Sequence, residues 1–256
     1  MEKKVENKKF TILSGSRNCK MFLDQYCKSI LSQKYRPLQV VFVDDFSKDG
    51  SYEFMAMKKR LFNKNNIELV LIKNKQRQYC GSTYNIAFKK SDGFFYGVVD
   101  SDDMLVKGAV ENIMNVYNKY ISVGWIYTQF NIFNHKMKLI KRGFCSAPKL
   151  GQSLLDLGKK QIHGYSHWRT FSRRIPKIET IFSPGERSAL DKYMGYRLEE
   201  LAEGMFYNKV LYNYRQRNSY SISTTERTKS NWRKIIKQTI QRRKDDKITP
   251  FHIKRK

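Results

Sequence analysis

No stretch of this sequence is long and apolar enough to cross a bilayer, and Met1-Glu2-Lys3-Lys4 does not open the hydrophobic run of a secretory leader. Cysteine is sparse and scattered. Cys19, Cys27, Cys80 and Cys145 form no CxxC couple, which argues against a disulfide framework and a thiolate zinc site and leads us to expect a reducing, cytoplasmic setting. Glycine loops that cradle phosphate are missing: there is no GxGxxG and no GxxxxGK, so neither a dinucleotide fingerprint nor a Walker A loop is present. No RRM, KH, zinc-finger or helix-turn-helix pattern occurs, and no internal repeat. Acidic residues are few, 23 Asp and Glu against 50 Lys and Arg, for a formal net charge of +27. Such an excess suits a polyanionic partner, whether nucleic acid, anionic membrane or phosphorylated substrate, but diffuse lysine singles out none of them. A basic nucleic-acid-binding protein is one reading of the charge, and it leaves the acidic clusters unexplained.

What is present is a chain of 256 residues, 40% hydrophobic and 14% aromatic, enough for one large folded unit with a substantial core. Phe10 to Leu13 reads as a strand, followed by the turn formers Ser14 to Asn18 and a helix on which Phe22, Leu23, Tyr26, Cys27, Ile30 and Leu31 recur in phase. Leu38 to Val43 is a nearly unbroken apolar run, as expected of a parallel strand covered on both faces. A helix follows to about Phe62, then a strand from Glu68 to Ile72, a helix from Ser82 to Lys90, and a strand from Phe94 to Val99. This alternation predicts an α/β fold with a mostly parallel, Rossmann-like sheet flanked by helices. In such sheets ligands sit beyond the carboxyl ends of the strands, the edge that collects Ser14–Asn18, Asp44–Ser51 and Asp100–Asp103. Further on, Lys107 to Tyr120 is expected to be helical, Gly124 to Phe133 a strand, Glu186 to Glu203 a helix and Phe206 to Tyr214 an edge strand. Lys136 to Lys160 takes no assignment.

Asp100-Ser101-Asp102-Asp103 stands at the end of the fourth strand. Three carboxylates there lose water and repel one another unless a cation shares them. Oxygen ligands suit Mg²⁺ or Mn²⁺ rather than zinc, and an acidic turn capping the next helix is the alternative. Calcium loops are excluded by counting: from Asp45 the twelfth position is Ala56, where a bidentate Glu is needed, and from Asp100 the required Gly is Leu105.

Several ordered segments together resemble the family-2 glycosyltransferases, which have the GT-A fold. They are Arg17-Asn18 after the first strand, Ser29 to Tyr35, Val41-Phe42-Val43-Asp44-Asp45 with Ser47, Asp49 and Gly50, Gly81-Ser82-Thr83-Tyr84-Asn85, and Val99 to Asp103. Trp168 to Arg174, Leu190 to Met194 and Tyr212 to Ser221 extend the likeness, which covers about residues 8–223. The resemblance implies an inverting, metal-dependent transfer of a sugar from a nucleotide-diphosphate donor, a UDP-sugar foremost, to a hydroxyl of a glycan, a lipid-linked acceptor or a protein. Residues 8–103 would hold the donor, residues 104–223 the acceptor, and residues 224–256 would form a helical tail. Asp44 or Asp45 would meet base and ribose, Asp100 and Asp102 would form the DxD pair with Asp102 the direct metal ligand, and Asp103 would stand behind them. Ser14, Arg17, Asn85, Arg215 and Arg217 would complete the donor site. Asp191 would be the general base, in a setting that raises its pKa toward working pH. Arg217 stands where the family often has a histidine; an arginine cannot ligate a cation but can pair with phosphate, and His163 and His167 are the candidate substitutes. A non-catalytic sugar- or nucleotide-binding module is the rival from another class, since binding needs Asp45 and Asp102 but not Asp191.

The tail carries twelve Lys and Arg against three Asp and Glu from Glu226 to Lys256. Trp232, Ile235, Ile236 and Ile240 recur at helical spacing. Two readings follow for residues 231–244: a peripheral contact with an anionic membrane, or docking of the stripe on the protein's own core.

Overall fold

The computed structural model describes residues 7–162, 164–217 and 226–255. Its centre is a ten-stranded mixed sheet in the order β10 (Ile253–Arg255), β9 (Gly204–Arg215), β6 (Trp125–Phe133), β8 (Arg169–Ser172), β4 (Phe95–Val98), β1 (Phe10–Ser16), β2 (Leu38–Asp44) and β3 (Ile67–Lys73), with β5 (Met104–Leu105) paired to β9 and β7 (Leu139–Arg142) to β6. Strands β1 (Phe10–Ser16), β2 (Leu38–Asp44), β3 (Ile67–Lys73) and β4 (Phe95–Val98) are mutually parallel, as the alternating pattern predicts. All seven residues of β2 are buried, which is what its continuous apolar run requires of a strand with both faces covered. Helices α2 (Ser51–Lys64) and α3 (Tyr79–Lys89) pack on this half of the sheet. Helix α1 (Leu23–Leu31) buries Leu23, Tyr26, Cys27 and Ile30, and α4 (Ala109–Lys119) buries Ala109, Val110, Ile113, Met114 and Tyr117, so both stripes face inward as their spacing dictates. Among the described residues no helix is long and apolar enough to cross a membrane.

The second half departs from expectation in four places. Strand β8 (Arg169–Ser172) departs from the sequence expectation; it runs antiparallel between β4 and β6 (Trp125–Phe133), and its four residues, three polar and one aromatic, are buried by those neighbours rather than by an apolar pattern. Residues 136–160, unassigned from sequence, hold β7 (Leu139–Arg142), paired with β6, and α5 (Leu154–Lys159), which opens on a Ser153–Asp156 capping box. The helix expected from Glu186 begins only at Leu190 as α6 (Leu190–Leu201), because Ala189 adopts a left-handed φ of 55° and the Glu186 carbonyl is engaged by the Gly81 N–H. Finally β9 (Gly204–Arg215) is no edge strand. It lies between β6 and β10 (Ile253–Arg255), and the end of the chain closes that side of the sheet.

The tail helix α7 (Glu226–Asp245) docks on α6. Ile235 is fully buried, Trp232 donates its Nε1–H to Tyr196 Oη at 2.8 Å, and Asn231 Nδ2 donates to Glu186 Oε2 and to the Ser188 carbonyl. Arg243 Nη2 lies 2.6 Å from Glu199 Oε1, and both Arg242 and Arg243 reach Glu200. Glu199 and Glu200 are buried, so α7 covers them and supplies their counter-charges. The apolar stripe and the arginine pair of residues 231–244 are thus engaged by the protein itself; only Ile240, 43% exposed, remains outside.

Candidate active site

Ser16 of β1 registers with Asp44 of β2, and β4 runs out just before Asp100, so the three loops expected at one sheet edge do meet there. The chain turns through Asp100–Asp103 into β5 (Met104–Leu105), which pairs with β9 at Asn213 and Tyr212. That pairing lays the end of β9 across the acidic turn. Tyr212 Oη donates to Asp103 Oδ2 at 2.8 Å, and the Arg215 N–H donates to Asp103 Oδ1 at 2.7 Å. Tyr84 Oη donates to Asp100 Oδ1, and Arg169 Nη2 lies 3.2 Å from Asp100 Oδ2. Asp102 meets Arg217, whose Nε stands 2.6 Å from Oδ2, while Arg215 Nε donates to the Asp102 carbonyl. The two guanidinium groups lie over the ring of Phe22, at 4.6 and 4.7 Å. Burial, then the charges of Asp102 and Asp100, pushes the Asp103 carboxyl well above the usual carboxylate range. Burial also raises Asp102, with Arg217 opposing and Asp100 adding to the rise.

A divalent cation finds a compatible donor set here, although not the pair expected. Asp100, Asp103 and His167 each bring one ligand atom within 4.8 Å of the others. Each carboxylate oxygen of Asp100 and Asp103 already accepts one hydrogen bond but keeps a second lone pair. His167 is stacked on Tyr212 at 4.7 Å, and its buried Nδ1 has no hydrogen-bond partner among the described residues. Burial and then Arg169 lower its pKa well below the usual value, which keeps the imidazole neutral, as a metal ligand must be. Two carboxylates and an imidazole suit Mn²⁺ better than the all-oxygen preference of Mg²⁺. Asp102 stands outside this trio, occupied by Arg217. His163 lies outside the described residues, as does the segment 218–221.

The remaining candidates divide. Arg17 lines the same cleft and donates to the Asp45 carbonyl at 3.0 Å. Asp45 also lines it, yet its carboxylate accepts from Asn74 Nδ2 and from the N–H groups of Gln78 and Tyr79, fixing the turn into α3. Asp44 is fully buried; Oδ2 accepts the Ser47 N–H and Oδ1 has no partner. Ser14 lies behind the cleft, bound to Tyr26 Oη and the Val99 carbonyl. Asn85 faces a separate groove with Lys89, Glu179 and Tyr193. Asp191, in the first turn of α6, is 30% exposed, with Lys192 Nζ at 3.4 Å. Burial opposes its ionisation, but Lys192 and then Arg169 outweigh that and hold its carboxyl below the usual value. Desolvation therefore does not lift this residue toward neutral pH.

The cleft measures about 310 Å³ and is lined by Asp45, Asp100, Asp102 and Asp103 together with Arg17, Arg77, Arg187, Arg215 and Arg217 and the rings of Tyr79 and Tyr84. The guanidinium groups of Arg77 and Arg187 both lie on the Tyr79 ring, at 4.3 and 4.4 Å from its centroid. Sequence reasoning gave no role to Arg77 and Arg187, lone arginines without a local signal in a lysine- and arginine-rich chain, nor to the buried Arg169, although it lies in the Trp168–Arg174 segment of the family resemblance. Tyr84 lay inside a quoted motif and could have been found as the hydroxyl nearest the acidic turn.

The model of glycosyl transferase family 2 matches residues 12–181. The chondroitin synthase of Escherichia coli is 26% identical over 230 residues, which cover 88% of this chain and 32% of that protein. The hyaluronan synthase of Pasteurella multocida is 26% identical over 196 residues, 77% of this chain and 19% of that one. The chain thus spans about a third or less of these curated relatives. Among solved structures, residues 1–349 of S. aureus TarS in complex with UDP-GlcNAc superpose with a TM-score of 0.70 at 16% identity, covering 90% of this chain and 65% of that one. The mannosyltransferase PcManGT from Pyrobaculum calidifontis, in complex with GDP-Man and Mn²⁺, gives 0.57 at 15% identity, covering 92% and 63%.

Proposed function

This chain belongs to glycosyl transferase family 2, and on that premise we propose that it moves a sugar from a nucleotide-diphosphate donor, a UDP-sugar foremost, to an acceptor hydroxyl with inversion at the anomeric carbon. The observation that carries the reading is the cleft lined by four carboxylates and five arginines beyond the carboxyl ends of the parallel strands. Arginines at such a rim fit the phosphate oxygens of a diphosphate bidentately. Residues 8–103 would hold the donor and residues 104–223 the acceptor. Asp191 would accept the proton of the acceptor hydroxyl as its oxygen attacks the anomeric carbon from the face opposite the diphosphate, and the electron pair of the breaking bond would leave on the phosphate oxygen. Arg217 and Arg215 would meet the growing negative charge there. A divalent cation, Mn²⁺ or Mg²⁺, held by Asp100, Asp103 and His167 would supply further neutralisation of the leaving group. Four free cysteines agree with the cytoplasmic setting expected for the chain.

The test is release of nucleoside diphosphate from a panel of nucleotide sugars, with and without Mn²⁺, alongside calorimetric binding of the same donors. Donor-dependent release that collapses in Asp191→Asn, with binding kept, is the expected result. Binding without turnover in either protein would mean a sugar- or nucleotide-binding module, and no binding of any donor would sink the proposal.

A further inference from the structure

The β6–β7 hairpin and the loop that follows it carry an unusual surface. All four residues of β7 are exposed, so the ribbon presents both faces to solvent. Leu139, Ile140, Phe144 and Leu150 are 55, 51, 64 and 86% exposed, a concentration of outward-facing apolar side chains in one stretch of chain. Lys136, Lys138, Lys141, Arg142 and Lys149 are interleaved with them and exposed. No Asp or Glu occurs between Asn134 and Ser153. Among the described residues, none of those five cations makes an ion pair, and Arg142 only donates to Asn208. In α7, by contrast, Arg242 and Arg243 pair with the buried Glu199 and Glu200.

We propose that this hairpin is a docking surface for an anionic lipid bilayer. Apolar side chains of this size gain by leaving water for the headgroup boundary, and lysines beside them meet lipid phosphates. A second copy of the chain would set the same five positive charges against themselves, which disfavours self-association through this face. Its position gives the surface a use. Phe133, the last residue of β6, registers with Arg215, and the His135 carbonyl accepts from Arg215 Nη1 at 2.8 Å. The hairpin therefore starts at the rim of the cleft, and a bilayer seated on it lies beside the site. On the glycosyl-transfer reading, on which this last step rests, the acceptor class favoured is a lipid-linked hydroxyl held at the membrane surface.

Co-sedimentation of the full chain with vesicles tests the surface without donor or acceptor, so its outcome is independent of the transfer reaction. Vesicles of phosphatidylcholine alone are compared with vesicles in which phosphatidylglycerol makes up about a third of the lipid, at low and high salt. The chain should pellet with the anionic vesicles at low salt only. Lys136→Gln/Lys138→Gln/Lys141→Gln and Leu139→Ser/Phe144→Ser should each weaken partitioning about tenfold or more, with melting temperature and nucleotide binding unchanged because these side chains are exposed. No pelleting of the wild-type chain, or undiminished pelleting of both variants, overturns the proposal. So does a dimer in light scattering that Leu139→Ser/Phe144→Ser converts to monomer.

Discussion

Arg217 Nε stands 2.6 Å from Asp102 Oδ2, so the middle carboxylate of the acidic turn carries its own fixed counter-ion. The guanidinium is one-third exposed and opens onto the cleft, where it can turn from carboxylate to phosphate without leaving the site. Arg215, in contrast, is tied to the Asp102 carbonyl, the His135 carbonyl and Gln25, and holds the turn in shape.

Arg217→Ala should therefore weaken binding of nucleoside diphosphate by about tenfold or more, the scale of one hydrogen bond to a charged group, with the fold intact. Isothermal titration calorimetry with UDP and Mn²⁺ measures it. Unchanged affinity would confine Arg217 to neutralising Asp102.

Asp191→Asn should lower turnover by about 10² or more, as loss of a general base does, with little effect on donor affinity. The pH profile carries a second test. A carboxyl held below its usual value is ionised throughout the neutral range, and activity is lost only as the pH falls through that depressed value. Lys192→Met removes a positive neighbour, so the pKa must rise and the acid limb of kcat must move to higher pH. A limb that stays in place would assign the base elsewhere.

Much of the donor half was legible because its signals are local. The apolar run of β2 states its own burial, and the turn formers and carboxylates after β1, β2 and β4 fall at one edge once the strands are parallel. Partners distant in sequence were not legible. Arg169 reaches Asp100 only because β8 inserts beside β4. The stripe of α7 was visible, but not that Glu199 and Glu200 lie opposite its arginines, since nothing in residues 226–245 names an acceptor more than forty positions earlier. His167 could be named as a candidate ligand, but nothing local in the sequence places it next to Asp100 and Asp103.

The docked tail makes a stability prediction. Ile235→Ala should cost about 2–5 kcal/mol for a buried aliphatic side chain. Arg243→Met, which strands Glu199 without its closest cation, should cost about 3–5 kcal/mol. Urea denaturation gives both values. Losses below about 1 kcal/mol would mean that α7 is held only loosely.

Gly81 is a position of close approach: a Cβ there would come within 1.8 Å of the Ser183 carbonyl oxygen, a backbone atom that cannot swing away. The first turn of α3 is stitched to the loop carrying Arg187 by Gly81 N–H to the Glu186 carbonyl and Ser82 Oγ to the Pro184 carbonyl. Gly81→Ala should therefore destabilise by about 1–3 kcal/mol or more and weaken nucleotide binding as Tyr79 and Arg187 shift. Thermal melts and donor titration read the two effects together, and a variant normal in both would mean the loop yields freely.

The place of β8 between β4 and β6 has a consequence for how the polypeptide emerges during synthesis. Residues 95–98 and 125–133 are made well before residues 169–172, so one edge each of β4 and β6 lacks the partner they share until that strand leaves the ribosome. Both edges are rich in aromatic and aliphatic side chains, the kind that recruit foreign strands. A chain halted near residue 160 would be caught in that open state, and a chaperone that shields strand edges would act on it during the interval before Arg169 arrives.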